Sequence, residues 1–152
     1  MSKTLKFIVT FLILCGCSYE PVLLKKNYDF HFDKINSTGE IKINEIIINE
    51  LSERAKYKNS VKYDIYFVSK KSREIISSNS KGDPKIYKLR LDIAYNLIKD
   101  NQIILKNDIL KQATYNNIND KFELLKYEEN IIQNLSRRIA DDILVSVTTL
   151  AR

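Results

Sequence analysis

A run of strict alternation from Tyr87 to Leu97 constrains the fold of this chain more than any other segment. Apolar side chains occupy every second position of the run, and mostly polar residues such as Lys88, Arg90 and Asp92 lie between them. Successive side chains of a strand point to opposite faces, so this pattern predicts a strand with one buried face. The chain must therefore build a sheet and cover one side of it.

Three further segments show related patterns. Tyr28 to Ile35 and Val61 to Phe67 alternate in the same way, and each predicts a half-buried strand. Asp100-Asn101 predicts a two-residue hairpin turn because both residues tolerate positive φ, and Ile103 to about Tyr115 returns as a less regular strand. Residues 69–85 are polar, so they form either a long loop or a hairpin whose arms extend beyond the core.

Two segments carry helical periodicity. Ser37-x-x-Glu40 is typical of a capping box and predicts a helix that runs to about Lys56. Asp120-x-x-Glu123 predicts the start of a second, long helix that ends near Leu150. Its predicted apolar stripe consists of Leu125, Ile132, Leu135, Ile139, Ile143, Val147 and Leu150.

The element order is therefore β-α-β-β-β-α. It predicts an α+β fold, a two-layer sandwich in which two helices cover one face of a four-stranded mixed sheet. The first strand–helix–strand unit should pair its strands in parallel, and the remaining strands should be antiparallel.

The amino terminus predicts an exported lipoprotein. Lys3 and Lys6 precede an apolar run that is too short to span a bilayer comfortably, as in a secretory signal. Leu14-Cys15-Gly16-Cys17 is a lipobox, which places the signal peptide at residues 1–16 and a lipidated Cys17 with its tether at residues 17–27. Several acyl chains anchor firmly. A single α+β domain at residues 28–152 should follow. The alternatives to a lipobox are an ordinary signal peptide with a chance cysteine and an uncleaved anchor.

The charge is unevenly distributed. The whole chain has a formal net charge of +6, and residues 54–90 hold eleven basic and three acidic residues. Such clustering indicates an anionic partner, which for an exported lipoprotein is a lipid headgroup or phosphate and not nucleic acid. The many lysines also fit a general compositional bias, so only their clustering is informative.

Catalytic and metal-binding patterns are missing from the sequence. His31 is the only histidine, it lies on the predicted solvent side of a strand, and no HExxH or CxxC accompanies it. Three glycines do not make a phosphate-binding loop, and Asp141-Asp142 on a helix point about 100° apart. We therefore expect no metal, no cofactor and no enzymatic activity.

Four parts of the chain together carry a family resemblance. They are Cys17-Ser18-Tyr19-Glu20-Pro21, Ile86-Tyr87-Lys88-Leu89 after the polar segment, the hairpin about Asp100-Asn101, and the terminal helix from Leu135 to Ile143. Over essentially the whole chain after the signal peptide, the sequence resembles the lipopolysaccharide (LPS) assembly lipoprotein family, LptE. The resemblance implies a compact non-enzymatic outer-membrane lipoprotein that faces the periplasm. Such a protein plugs the lumen of the β-barrel LPS translocon LptD, helps it to fold, and binds LPS in transit.

An LPS-binding role for the basic cluster would require cations that stay charged near phosphate groups. The candidate LPS-binding residues are Lys70, Lys71, Arg73, Lys81 and Lys85, taken as loop residues, with Lys88 and Arg90 on the adjoining strand. A solvated surface without a ligand is the alternative for this cluster. Two other function classes are alternatives. One is a lipoprotein accessory subunit of an envelope lipid-transport ABC system, and the other is a periplasmic hydrolase, for which the sequence lacks a catalytic base.

Overall fold

The computed structural model describes residues 28–56 and 61–150, and it contains four strands and two helices. Their order is β1 (Phe30–Gly39), α1 (Ile41–Arg54), β2 (Val61–Ser78), β3 (Pro84–Lys99), β4 (Gln102–Asn116) and α2 (Lys121–Leu150). This is the predicted β-α-β-β-β-α order, so the predicted element sequence is confirmed.

The four strands form one mixed sheet in the order β1-β2-β3-β4. β1 pairs with β2 in parallel, and the β2–β3 and β3–β4 pairs are antiparallel. The parallel pair follows from the intervening α1, because two parallel neighbours need a crossover connection whereas antiparallel neighbours need only a turn. The predicted pairing of all four strands is therefore confirmed.

Alternation along the strands decides which side of the sheet is covered. In β3, every second side chain from Tyr87 to Leu97 is buried, with Leu91 and Leu97 fully so. These side chains form one hydrophobic core with the buried residues of both helices, as does the equivalent set from Tyr63 to Phe67 in β2. We call the side that the helices cover the helix face and the opposite side the open face. The predicted two-layer α+β sandwich is confirmed.

Ion pairs join the two helices to each other. Arg54 of α1 contacts Asp141 of α2, Lys42 lies 2.6 Å from Glu129, and Arg137 lies 3.2 Å from Glu50. Most of these side chains are partly exposed, so each contributes at most about 1 kcal/mol. The apolar stripe between the helices and the sheet therefore supplies most of the stabilisation.

Residues 69–85 form a hairpin, so the long-loop interpretation is wrong and the hairpin interpretation is right. β2 runs on to Ser78, and β3 begins at Pro84. The connecting turn is closed by hydrogen bonds around Asn79, whose side-chain oxygen accepts from the backbone N–H groups of Lys81 and Asp83, both at 2.9 Å. The polar composition reflects exposure, because neither arm of the extension is buried on both sides.

The turn between β3 and β4 has the predicted residues in the predicted conformation. Asp100 and Asn101 have φ values of 51° and 63°. Both are in the left-handed region that a two-residue hairpin turn of this kind requires.

The predicted capping box at the start of α1 is wrong. Ser37 lies in β1 and pairs with Phe67, and Glu40 is the N-cap residue without a side-chain capping bond. A distant residue supplies the partner: the Glu40 N–H donates to Ser69 Oγ at 2.8 Å, and Ser69 Oγ donates to Asn44 Oδ1 at 2.6 Å. α1 also ends at Arg54, slightly earlier than the predicted Lys56.

The second helix begins and ends as predicted, but its apolar stripe differs at both ends. Asp120 Oδ1 accepts from the N–H groups of Phe122 at 2.8 Å and Glu123 at 3.2 Å, which caps the helix. Leu124 is buried, whereas Leu125 is 60% exposed and Leu150 is 48% exposed. The predicted burial of Leu125 and Leu150 is therefore wrong. The predicted burial of the five residues between them in the stripe is confirmed: Ile132, Leu135, Ile139, Ile143 and Val147.

Candidate anion-binding surface

The β2–β3 hairpin separates the predicted LPS-binding residues onto two faces. By strand alternation, Lys70, Lys88 and Arg90 lie on the open face. Lys71, Arg73 and Lys85 lie on the helix face, where the hairpin extends past the main core, and Lys81 lies in the connecting turn. The structure therefore brings together two groups of three cations instead of one continuous patch.

Carboxylates neutralise part of the charge on the open face. Arg90 Nε donates to both carboxylate oxygens of Asp92, at 3.0 and 2.9 Å, and its Nη2 donates to Oδ1 at 2.7 Å. These hydrogen bonds are the main reason that the pKa of the Asp92 carboxyl lies below its ordinary value. Lys88 pairs across the strands with Glu74 at 3.0 Å. An anion that binds Arg90 or Lys88 must therefore compete with a carboxylate of the same chain.

Lys70 is the most available cation of the open face. It lies directly opposite Asp92 in the β2–β3 register, and its charge also lowers the pKa of Asp92. Within residues 28–56 and 61–150 it forms no direct ion pair. Its ammonium group is therefore free to meet an incoming anion without first breaking a contact in this part of the chain.

A groove of about 560 Å³ crosses the open face beside Lys70 and Arg90. It spans β2, β3 and β4, and it contains two cations, two carboxylates and apolar side chains. Its lining residues are Val68, Lys70, Arg90, Asp92, Ile93, Ala94, Asp108, Ile109 and Leu110.

The groove has the chemistry of a site for an amphiphile with an anionic headgroup. Lys70 and Arg90 supply charged donors for a phosphate, and Val68, Ala94 and Leu110 supply an adjacent apolar surface. Leu110 is 47% exposed, so it has apolar area left to bury. The carboxylates of Asp92 and Asp108 repel a highly charged anion. They therefore favour a headgroup that contacts the cations at one side of the groove.

One of the helix-face cations, Arg73, already contacts other side chains of the domain. Arg73 Nη1 donates to Glu128 Oε1 at 2.9 Å, and its guanidinium carbon lies 4.8 Å from the centre of the Tyr87 ring. The Tyr115 hydroxyl donates to the same Glu128 oxygen at 2.5 Å. Burial and this hydrogen bond raise the pKa of Tyr115 well above its ordinary value. Arg73 therefore fastens the hairpin to α2, which makes it less available to a ligand than Lys70.

The remaining helix-face and turn cations are weakly held. Lys71 lies 3.6 Å from Glu40, and the two side chains are 40% and 42% exposed. Lys81 and Lys85 are exposed, and neither forms an ion pair within the described ranges. All three can turn toward an external anion with little loss of internal contacts.

Sequence reasoning missed the non-basic residues of the groove. Val68, Ala94 and Leu110 attract no attention as single residues, and Asp108 lies in a strand whose pattern is irregular. Because the structure extends β2 and β3 through most of residues 69–85, strand alternation puts Lys70, Arg90 and Asp92 on one face. The register that brings β4 beside them depends on the Asp100-Asn101 turn and on a shift between Leu97 and Ile98, and the sequence pattern does not reveal this shift.

Several predictions fall on residues outside the described ranges. The signal peptide at 1–16, Cys17 and the tether at 17–27 are among them, so the lipidation of Cys17 stays a prediction. In the described part of the chain, no group of three or more His, Cys, Asp or Glu side chains is arranged to hold a metal ion. Neither of the two described helices is long and apolar enough to cross a membrane.

Comparison with known proteins gives matches in structure alone. No family model and no curated protein sequence matches the chain. Rare lipoprotein B from Shewanella oneidensis is similar in structure, with a TM-score of 0.63 and 13% identity over 79% of this chain and 95% of that chain. An uncharacterized lipoprotein B from Nitrosomonas europaea has a TM-score of 0.58 and 16% identity over 84% of this chain and 90% of that one.

A minor lipoprotein from Acinetobacter baumannii is a third structural neighbour, with a TM-score of 0.57 and 12% identity over 80% of this chain and 92% of that chain. At these identities the likeness shows the fold and nothing more. The chain therefore shares with three bacterial lipoproteins a fold that extends over nearly the whole of their structures.

Proposed function

We propose that this protein is an outer-membrane lipoprotein that plugs and helps to assemble a β-barrel LPS translocon of the LptD type. Its acylated Cys17 anchors it to the membrane, its domain faces the periplasm, and it binds LPS on the way to the outer leaflet. In this role it is not an enzyme and carries no cofactor. Its partners are the barrel and LPS.

The observation that carries the proposal is the shared fold. Three neighbours that are named as lipoproteins have the same architecture, and the first of them is covered over 95% of its length. The lipobox at Leu14-Cys15-Gly16-Cys17 points independently to the same class of protein. The resemblance of the chain to the LptE family then supports the finer assignment within that class.

The surface of the domain supports the barrel and LPS roles. A plug in a water-filled barrel lumen needs a largely polar exterior, and the open face carries charged residues on all four strands. The groove beside Lys70 and Arg90 combines cations with an apolar wall, as binding of a phosphorylated lipid requires. These features favour an LPS-handling lipoprotein over a purely structural one.

Copurification tests the proposal directly. The full-length chain with a carboxyl-terminal affinity tag is expressed in the bacterium that encodes it, extracted in mild detergent and isolated with its partners. The proposal predicts that an outer-membrane barrel of the LptD type copurifies. Recovery of an inner-membrane ABC transporter in its place would favour the alternative of a transporter accessory lipoprotein.

Cys17→Ala provides the matched control for this experiment. The variant should lose lipid labelling and accumulate as an uncleaved or mislocalised precursor, because the acylated thiol is missing. Less of the barrel protein should also copurify with the variant than with the parent. Unchanged labelling of the variant would contradict acylation at Cys17, whereas normal labelling of the parent without any barrel would contradict only the translocon role.

A further inference from the structure

The outer edge of β4 is a free sheet edge with an unusual sequence. β4 is the last strand of the sheet order, so only β3 pairs with it in the described part of the chain. From Leu105 to Asn116 its register with β3 is continuous. Free edges of this kind present unpaired backbone groups to another strand, and natural proteins usually interrupt or cover them.

The opposite edge of the sheet is interrupted. β1 has a register shift between Phe32 and Lys34, and His31 forms an antiparallel bridge with Lys56, which follows α1. A bulge and a covering segment are two known ways to block edge pairing. The only register shift in the β3–β4 pair lies between Leu97 and Ile98, beside the hairpin turn. Among the residues that the structure describes, the central part of β4 therefore has neither a bulge nor a covering segment.

The sequence of this edge is self-complementary. The order of apolar and charged residues is the same in both directions from Asn107 in the segment Ile104-Leu105-Lys106-Asn107-Asp108-Ile109-Leu110. The two charged residues beside Asn107, Lys106 and Asp108, have opposite signs. In an antiparallel pair of two such strands centred on Asn107, Lys106 lies opposite Asp108. Leu105 then lies opposite Ile109, and Ile104 lies opposite Leu110. Opposite charges and apolar pairs directly across a ladder both stabilise it.

The exposure of the side chains fits this pairing. Ile104 is 42% exposed and Leu110 is 47% exposed, so both have apolar area to bury against a second strand. Lys106 and Asp108 are exposed as well. The Asp108 N–H donates to the side-chain oxygen of its own neighbour Asn107 at 3.0 Å, which is a local substitute for the carbonyl of an adjacent strand.

We propose that β4 pairs antiparallel with β4 of a second copy of this chain, about a two-fold axis at Asn107. The two sheets become one eight-stranded sheet with all four helices on the same side, because the axis is perpendicular to the sheet. A two-fold axis gives each copy the same surface patch, which is the commonest symmetry of homo-oligomers. This inference concerns the free lipoprotein and does not rest on the proposed function.

Disulfide trapping at the axis tests the proposal in the full-length chain. Directly opposite residues of an antiparallel pair have Cα atoms about 4.5–5.5 Å apart, which lies within the range of disulfide-linked cysteines. Asn107→Cys should therefore give a covalent homodimer when the purified chain, free of other proteins, is oxidised with copper phenanthroline. The parent chain, which contains Cys15 and Cys17, is oxidised in parallel to account for any dimer that these residues form.

Gln112→Cys is the matched control, since it is also exposed on β4 but lies off the axis. Its two copies would be roughly 33 Å apart along the ladder, so no dimer above the parent level is expected. Gln102→Cys combined with Gln112→Cys should restore the dimer because these two positions face each other in the proposed register. The proposal would be overturned if Asn107→Cys and Gln112→Cys gave equal amounts of covalent dimer. It would also be overturned if Asn107→Cys gave no dimer.

A charge exchange tests the register independently. Lys106→Asp in the Asn107→Cys background places two acids opposite each other and should reduce the dimer band. Adding Asp108→Lys restores the opposite charges and should restore the band.

Discussion

Gly39 lies so close to Ser69 that a Cβ atom at Gly39 would be 2.0 Å from the Ser69 carbonyl oxygen. Gly39 ends β1 with φ at +104°, a conformation that other residues rarely adopt. The contact lies where the chain turns from β1 into α1, beside the hydrogen bond from the Glu40 N–H to Ser69 Oγ. Glycine at this position therefore permits both the turn and the close approach.

Gly39→Ala should destabilise the domain strongly. The positive φ alone costs about 1–3 kcal/mol for a residue with a side chain, and the clash with a backbone atom adds to it. Gly82→Ala is the matched control, because Gly82 also has positive φ, at +87°, but has open space around it. Urea denaturation should show a clearly larger loss for Gly39→Ala, and equal losses would contradict the role of the Ser69 contact.

Leu91→Ala should lower the free energy of unfolding by about 2–5 kcal/mol. Leu91 is fully buried in the middle of β3, where the sheet meets both helices. Leu125→Ala removes the same atoms from a residue that is 60% exposed on α2, so its effect should stay within about 0.5 kcal/mol. Thermal midpoints of the two variants check this, and a similar shift in both would mean that the helix packs differently.

Tyr115→Phe should cost about 1–3 kcal/mol, because it removes a hydrogen bond to the Glu128 carboxylate from a site that is largely buried. Tyr115 has its pKa raised above the ordinary value of 10.0, so the folded chain holds a proton that the unfolded chain releases at high pH. This contribution is complete below pH 10 and is lost as the pH rises further.

The pH dependence of this variant is therefore distinctive. The difference in unfolding free energy between the parent and Tyr115→Phe should be constant from about pH 7 to about pH 10 and should shrink above it. Tyr127→Phe is a suitable control, since Tyr127 is 47% exposed at the edge of the same aromatic group. A difference that grows with pH would show that Tyr115 does not hold its proton in the folded state.

Local patterns were sufficient where a segment determines its own structure. The β3 alternation, the Asp100-Asn101 turn and the Asp120 cap all depend on residues within one element, and each was predictable. The start of α1 was not, because Ser37 and Glu40 resemble a capping box while the partner that satisfies the Glu40 N–H is Ser69, on another strand. A long-range hydrogen bond of this kind leaves no local signal.

The candidate site was also predictable only where local patterns determine the structure. The polar composition of residues 69–85 left a long loop and a hairpin as alternatives, so the sequence did not show that Lys70 and Arg90 share a face. The choice between Leu124 and Leu125 also could not be made locally, because both adjacent residues are apolar and either continues a helical stripe. Packing against the sheet buries Leu124 and leaves Leu125 exposed.

Charge reversal tests the proposed role of the basic hairpin. The combined variant Lys70→Glu, Lys71→Glu, Lys81→Glu and Lys85→Glu should abolish LPS binding, because it replaces the least engaged cations of the hairpin with repulsive carboxylates. Arg73 is left in place because its bond to Glu128 holds the hairpin to α2. Single reversals should have small effects, since each exposed charge pair contributes less than about 1 kcal/mol.

The control carries the same change in net charge at the opposite end of the sheet. Lys34, Lys56, Lys62 and Lys99 are all exposed, and their combined change to Glu should leave most LPS binding intact. Binding of purified LPS to the parent should also weaken as salt rises, because exposed charges are screened over about 8 Å at physiological ionic strength.

Circular dichroism should show that both fourfold variants remain folded. If the hairpin variant is folded and binds LPS as the parent does, the hairpin is only a solvated surface. Arg138 on α2 would then be the better candidate, because Arg137 on the same helix already pairs with Glu50.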